Sequence, residues 1–407
     1  MLKNQILAHD QQGPLPARGQ VDRQGPAMAA KTVATKRSPF EVTVHTGREG
    51  LEEVREAWRQ AASGMERRHY FHDIRWYQSY LEVLEPDPQC VHFFVFHLNG
   101  MAVGVVPLQL LTIQRAGLRV RILSLPQHRY LWSGDFVIAE NQHLPGLARA
   151  LLAQLRADKR FGWDVLRLPD VLEDSRALAL FACIKGYFSH HTIRGVCNFL
   201  ACPTANNTSA GMSKKLRATL RNSKNRLKAL GNSRFVEFRQ GPGLHRAFEQ
   251  FLALESSGWK GKKGGAITAR KDMDGIYRRR LELFATTDQV SVTLLYLDEQ
   301  PIAGALCFDT GDTRYFFKVS RDESYNRVAP GLLMLEHLVN IATADEKIQI
   351  LNLVSGAEWT ERWHPAQHKT FECCVCNWTI GGMAKFATLT LSRFTPRKRS
   401  MVPARAT

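Results

Sequence analysis

The stretch Ser320 to Leu333 (SRDESYNRVAPGLL) joins a strand-like run, Thr313 to Val319, to an amphipathic helix beginning near Gly331. A Pro-Gly pair at a helix entrance leaves the first backbone N–H groups clear of side chains. The helix dipole adds partial positive charge, so a phosphate could dock there. Arg327 stands three residues before Pro330, in reach of a second phosphate oxygen. Ala329, Pro330, Gly331 and Leu332 would form the cradle. A second candidate is Glu255, which ends the apolar helical run Phe248 to Glu255 just before Trp259-Lys260. Burial at that helix end would raise its pKa toward that of a useful base; the plainer reading is a surface carboxylate paired with Lys260.

Other chemistry finds less footing. His364 and His368, followed by Cys373, Cys374 and Cys376, have the composition of a zinc site. The cysteines fall in a strand-like run that sends Cys373 to one face and Cys374 and Cys376 to the other, so tetrahedral ligation is not expected. No Gly-x-Ser-x-Gly elbow and no Walker loop occurs, which leaves hydrolase and nucleotidase readings without an anchor.

The chain has 407 residues, is 44% hydrophobic and carries a formal net charge of +17. Residues 1–38, 213–239 and 392–407 contribute nets of +4, +8 and +5, which account for the whole excess. The charge belongs to two tails and one helix, not to a broad basic face with interleaved aromatics, so a nucleic-acid partner is not expected. Eight cysteines in mostly apolar runs, with no secretory signal before them, read as reduced cytosolic thiols. Val91 to Ile113 lacks Asp, Glu, Lys and Arg, yet Asn99-Gly100 splits it; a buried β-hairpin is expected there and no transmembrane helix. Residues 1–38 and 392–407 are expected to be disordered basic tails.

The elements that position these residues recur. Val91 to Leu98, a turn and Ala102 to Val106 match Val290 to Leu297, a turn and Ile302 to Leu306; Leu144-Pro145-Gly146 echoes Ala329-Pro330-Gly331. A strand follows each helix, giving strand–strand–helix–strand twice at a spacing near 200 residues. Two tandem α/β domains are expected, at 39–205 and 206–391. The first lacks a Lys-ended strand and an Arg-bearing loop before its Pro-Gly, so it reads as a degenerate copy that shapes a groove for the second. Leu216, Leu220, Leu227 and Leu230 form the stripe of a basic helix, off which Lys214, Arg217, Arg221, Lys224 and Lys228 largely lie.

Ordered blocks over about residues 210 to 380 resemble the acetyltransferases found with bacterial cellulose and exopolysaccharide biosynthesis. That group belongs to the GNAT superfamily and is related to FemAB-type aminoacyl transferases. The blocks are Ser213 to Leu227, Leu254 to Lys260, Pro301 to Gly304, Tyr315 to Lys318, and the loop Tyr325 to Gly331. Relatives commonly carry Gly-Asp and Tyr-Lys where this chain reads Ser355-Gly-Ala-Glu-Trp-Thr-Glu-Arg-Trp363. The resemblance implies tandem GNAT-like α/β (α+β) domains, each with a mixed, mainly antiparallel sheet flanked by helices. It also implies acetyl-CoA or another acyl-CoA as co-substrate, no metal, and a saccharide or cell-envelope acceptor. The backbone of Phe317, Lys318 and Val319 would contact the pantetheine arm, and the cradle from Arg327 to Leu332 the pyrophosphate. Glu255, Tyr325 and Lys318, in that order, would handle protons, with Tyr325 protonating the leaving thiolate, and Trp259 and Lys260 would meet the acceptor. Location would be cytoplasmic, with the basic helix and tails offering contact to an anionic inner-membrane surface. Two further readings stay open: FemAB-like transfer from aminoacyl-tRNA, and a silent scaffold of an exopolysaccharide assembly complex, which the altered 355–363 block favours.

Overall fold

The computed structural model describes residues 38–391 apart from 116 and 203–211, so the tails expected at either end lie almost wholly outside the described residues. β1 (Glu41–Thr46) leads through α1 (Gly47–Glu53), α2 (Arg55–Ser63) and α3 (Ile74–Val83) to the apolar run at Val91. There β2 (Val91–Leu98) and β3 (Met101–Arg115) form the expected hairpin, turning on Asn99 and Gly100, whose φ values are 51° and 78°. On the far edge of β3, β4 (Leu118–Ser124) pairs from Gln109 onward and the short β5 (Val137–Ile138) at Gly104 and Val105. Pro107 falls between the two, a position a proline tolerates. Next come α4 (Leu144–Ala157), β6 (Val165–Leu172), α5 (Arg176–Ala182) and β7 (Phe188–Ala201).

The second half repeats the plan. It runs α6 (Lys214–Leu230), β8 (Ser233–Phe238), α7 (Gly241–Ser257), α8 (Trp259–Lys262) and α9 (Lys271–Ala285). The meander β9 (Val290–Leu297), β10 (Gln300–Thr310) and β11 (Thr313–Arg321) follows, then α10 (Pro330–Ala344), β12 (Ile350–Asn352), β13 (Ala366–Cys376) and α11 (Ile380–Leu391). In each half a helix carries the chain from the last meander strand to a strand parallel to it, β4 to β6 and β11 to β12.

All these strands join one sheet in the order β1-β2-β3-β4-β6-β13-β7-β12-β11-β10-β9-β8, with β5 beside β3. The order is nearly palindromic, as two related halves meeting about a pseudo-twofold would give. At the junction the halves exchange strands: β13, from the end of the second half, lies against β6, and β7, from the first, lies against β12. The sheet therefore does not divide cleanly at residue 205. Buried side chains from both halves pack in one cluster that includes Tyr70, Trp76, Tyr277 and Phe317. His69 Nδ1 lies 2.6 Å from the Tyr315 hydroxyl across the junction. Arg280, fully buried, donates from Nη1 to the Tyr130 carbonyl at 3.0 Å and lays its guanidinium 3.4 Å over the ring of Trp76.

The basic helix is α6. Ser213 caps it, its Oγ accepting from Leu216 N at 3.1 Å, and Leu216, Leu220 and Leu227 are buried while Lys214, Arg217, Arg221 and Lys228 are exposed. Leu230 is exposed, not part of the buried stripe. Cys373 packs into one cluster while Cys374 and Cys376 pack into another on the opposite sheet face, the alternation a strand imposes.

Candidate active site

β11 and β12 pair only from Thr313 to Tyr315 against Ile350 to Asn352, yet β11 continues to Arg321. Beyond Tyr315 the two parallel strands part. The gap is lined by Phe316, Phe317, Lys318 and Val319 on one side and by Leu353, Ser355, Ala357, Trp359 and Thr360 on the other. It is narrow, about 10 Å³. The 353–360 wall overlaps the block Ser355 to Trp363. Val354 holds it in a left-handed conformation, φ 63°, costly for a β-branched residue, with its N–H bonded to Asn352 Oδ1 at 2.8 Å. Ser355 Oγ is buried there without a hydrogen-bond partner among the described residues, a group that a ligand carbonyl or amide would satisfy.

A β-bulge decides which way Lys318 points. The register of β10 against β11 steps from Leu306↔Lys318 to Cys307↔Phe316, leaving Phe317 as the extra residue. Phe317 and Lys318 consequently share a face instead of alternating. Lys318 is 3% exposed, and its ammonium lies 5.8 Å from the ring centroid of Trp132 and 5.5 Å from that of Tyr277. It lines both the gap and a cleft of about 490 Å³ that runs between the halves. The walls of that cleft are Leu125 to Gly134 from the first half, and Lys263 to Gly265, Arg270 and Met273 from the second. Burial pushes the Lys318 pKa down, and the charge of Glu255 opposes the shift.

The helix entrance follows. Asp322 Oδ1 accepts from Ser324 N at 2.9 Å and starts a 3-10 turn over Glu323–Val328. Ala329 then takes the left-handed conformation, φ 48° and ψ 57°, and Pro330 opens α10. Both Leu332 N and Leu333 N bond back to the Ala329 carbonyl, at 3.0 and 3.2 Å. At Gly331 an added Cβ would meet only Arg321 Cδ, at 3.9 Å, so the approach to the entrance is open. Arg327 is exposed, and its carbonyl accepts from Arg226 Nη1 at 3.0 Å; Arg321, Arg226 and Arg327 give the loop three guanidinium groups. Arg226 carried no role in the sequence reading, because α6 reaches the loop only in the folded chain; Arg321, at the end of β11, was passed over although it lies beside the loop.

Glu255 lies in the wall of the site, paired with Lys260. It is 1% exposed, its Oε1 is 3.2 Å from Lys260 Nζ and its Oε2 accepts from Ile267 N at 2.8 Å. Lys260 Nζ also donates to the Val319 carbonyl at 3.0 Å, tying α8 to β11. Both groups are bound into the wall of the site, and neither is among the residues that line the cleft. Burial pushes the Lys260 pKa down to about 8 against the pull of Glu255. Tyr325 lies apart, its hydroxyl 3.5 Å from Gln300 Oε1 beside Leu230 and Leu297, so it is not brought to Lys318. Trp259 opens α8, and its side chain lies outside the described residues. The sequence reading missed Trp132, Tyr277 and Ser355, which neighbour the site only through the tertiary fold.

Residues 214–369 match the family model described as acetyltransferase (GNAT) domain. The matched stretch lies within the second half of the chain. Its gap, bulge and helix entrance all fall inside the matched residues, and the enzyme class is acyltransferase. No curated protein matches the chain. The GNAT-type architecture, a mixed, mainly antiparallel sheet flanked by helices, extends over most of the chain. FemX superposes with a TM-score of 0.52 at 11% identity over 78% of this chain and 95% of its own. A conserved protein of unknown function from Bacteroides thetaiotaomicron VPI-5482 gives 0.51 at 13% over 80% and 97%. At such identities the likeness is one of fold.

Proposed function

We propose that the protein is an acyl-CoA-dependent N- or O-acyltransferase whose acceptor is a saccharide or a cell-envelope or exopolysaccharide precursor. The observation that carries this reading is Lys318, a buried amine standing where the strand gap opens into the interdomain cleft. When bound, the acyl-CoA would supply a thioester carbonyl. The open entrance at Gly331 and the guanidinium groups of Arg321, Arg226 and Arg327 would hold its phosphates, and Ser355 Oγ would hydrogen-bond within the gap. Lys318, kept toward its neutral form by burial, would take the proton from the acceptor amine or hydroxyl as that group attacks; the C–S bond breaks and the thiolate departs. The bulge leaves backbone at Phe317 unpaired, a source of an N–H for the carbonyl oxygen.

The first half, in this reading, is the degenerate copy that supplies the acceptor wall through Leu125 to Gly134. Apart from Lys318, the cleft lining counts Arg129, Lys263 and Arg270 against Asp170, so the acceptor carries negative charge, as a sugar phosphate or uronate does. The test is release of free CoA thiol from acetyl-CoA with amino sugars, sugar phosphates and uronates as acceptors. Turnover with an anionic sugar supports the reading. Turnover only with aminoacyl-tRNA would replace it with the FemAB-like one, and binding of neither donor would leave the scaffold.

A further inference from the structure

α11 uses one face and leaves the other bare. Its inner side is fixed: Phe386 stacks on Phe188 with centroids 4.8 Å apart, and Gly381 and Gly382 fit where a Cβ would meet Asp164 Cγ at 2.8 Å and Asn377 O at 2.2 Å. Trp378, just before the helix, donates from Nε1 to the Gly186 carbonyl at 2.7 Å and packs on Phe188, yet stays 62% exposed. On the outer side Ile380, Met383, Ala384, Ala387 and Leu391 recur at helical spacing and are all exposed. Ile380, Met383 and Leu391 are 73%, 44% and 65% exposed. With Trp378 they make four of the eight exposed large apolar residues among the described residues, gathered within fourteen positions.

Charge identifies the occupant. From Asn377 to Thr407 the sequence holds Lys385, Arg393, Arg397, Lys398, Arg399 and Arg405 and no acidic residue. An apolar helix face flanked by a tryptophan and followed by cations matches the two components of an anionic bilayer, acyl chains and phosphate headgroups. A second copy of the chain fits worse, since a self-complementary contact would oppose the same cations. α6 fits worse as well: it has the charge, but Leu216, Leu220 and Leu227 are buried, so it can be attracted to a membrane without entering it. We infer that α11 docks the protein on an anionic lipid surface through Trp378, Ile380, Met383 and Leu391.

The test is co-sedimentation of the full chain with vesicles of phosphatidylcholine alone or mixed with phosphatidylglycerol. Binding is expected to the mixed vesicles, weakening as salt rises. The combined change Ile380→Ser, Met383→Ser and Leu391→Ser should lower the partition coefficient by more than about tenfold while leaving the melting temperature in place, because all three side chains face outward. Arg397→Glu, Lys398→Glu and Arg399→Glu together should reduce binding mainly at low salt. No binding to the mixed vesicles, or undiminished binding of the triple-serine protein, would overturn the inference. So would a molar mass, measured by light scattering, that falls from dimer to monomer in the triple-serine protein, since that assigns the face to a second copy.

Discussion

The two halves carry the same Pro-Gly helix entrance in opposite conditions. In the first, a Cβ at Gly146 would meet His143 Nδ1 at 2.8 Å and Phe40 Cε2 at 2.9 Å; in the second, one at Gly331 would meet only Arg321 Cδ at 3.9 Å. The strands before the two entrances differ in the same sense. β4 ends at Ser124, where its pairing with β6 ends, and Leu125 N still bonds to the Arg167 carbonyl at 3.0 Å, while β11 runs on from Phe316 to Arg321 with β12 gone from its side. The helix entrance of one copy is closed by packing and that of the other is open. A shared motif therefore marks a shared fold; what the motif is free to bind depends on the space in front of it.

Several changes would sharpen or break that contrast. Lys318→Met should lower kcat by about 10²- to 10⁴-fold, the range a positioned acid or base contributes, with folding intact. Because burial lowers its pKa, wild-type kcat/KM should rise with pH to a plateau reached below the ordinary lysine value of 10.5, and the variant's residual rate should lose that limb. A matching limb in the variant would assign the titration elsewhere. Glu255→Ala would strand Lys260 in the wall of the open half and should cost about 3–5 kcal/mol in urea unfolding. A loss under 1 kcal/mol, on the order of a surface pair, would contradict a buried strut.

Lys260 also sets a pH dependence. Its folded pKa of about 8 lies below the unfolded value near 10.5, so between the two the unfolded chain binds more protons and stability gains as pH rises; below about 8 the cost of the buried charge is fully present. Lys260→Met should flatten that part of the stability profile. In the closed half, Gly146→Val should destabilise by about 1–3 kcal/mol through overpacking and leave acetyl-CoA affinity untouched. Charge reversal at Arg217, Arg221 and Lys228, all exposed on α6, should stay within about 0.5 kcal/mol by thermal melts.

Local features were legible in the sequence. Asn99-Gly100 marked the hairpin, Pro330-Gly331 the start of α10, the leucine spacing α6, and the Glu255–Lys260 spacing an ion pair. What escaped was tertiary. Lys260 and Glu255 were readable as partners and Glu255 as buried, but the burial of Lys260 with it beneath β11 depends on α7 packing against a sheet formed later in the chain. Alternation predicts opposite faces for Phe317 and Lys318, and one extra residue in the ladder reverses that prediction with no marker in the sequence. The exchange of β7 and β13 pairs strands far apart in the chain, which no local pattern encodes.

The most direct test is calorimetric titration of acetyl-CoA into folded Gly331→Val and Gly146→Val proteins beside the wild type. The open entrance has room for the added side chain but not for a phosphate as well, so Gly331→Val should weaken binding at least about tenfold, or 1.4 kcal/mol, with its melting temperature nearly unchanged. Gly146→Val should bind as the wild type does, though less stable. Unaltered affinity in Gly331→Val, or a loss confined to Gly146→Val, would contradict the account.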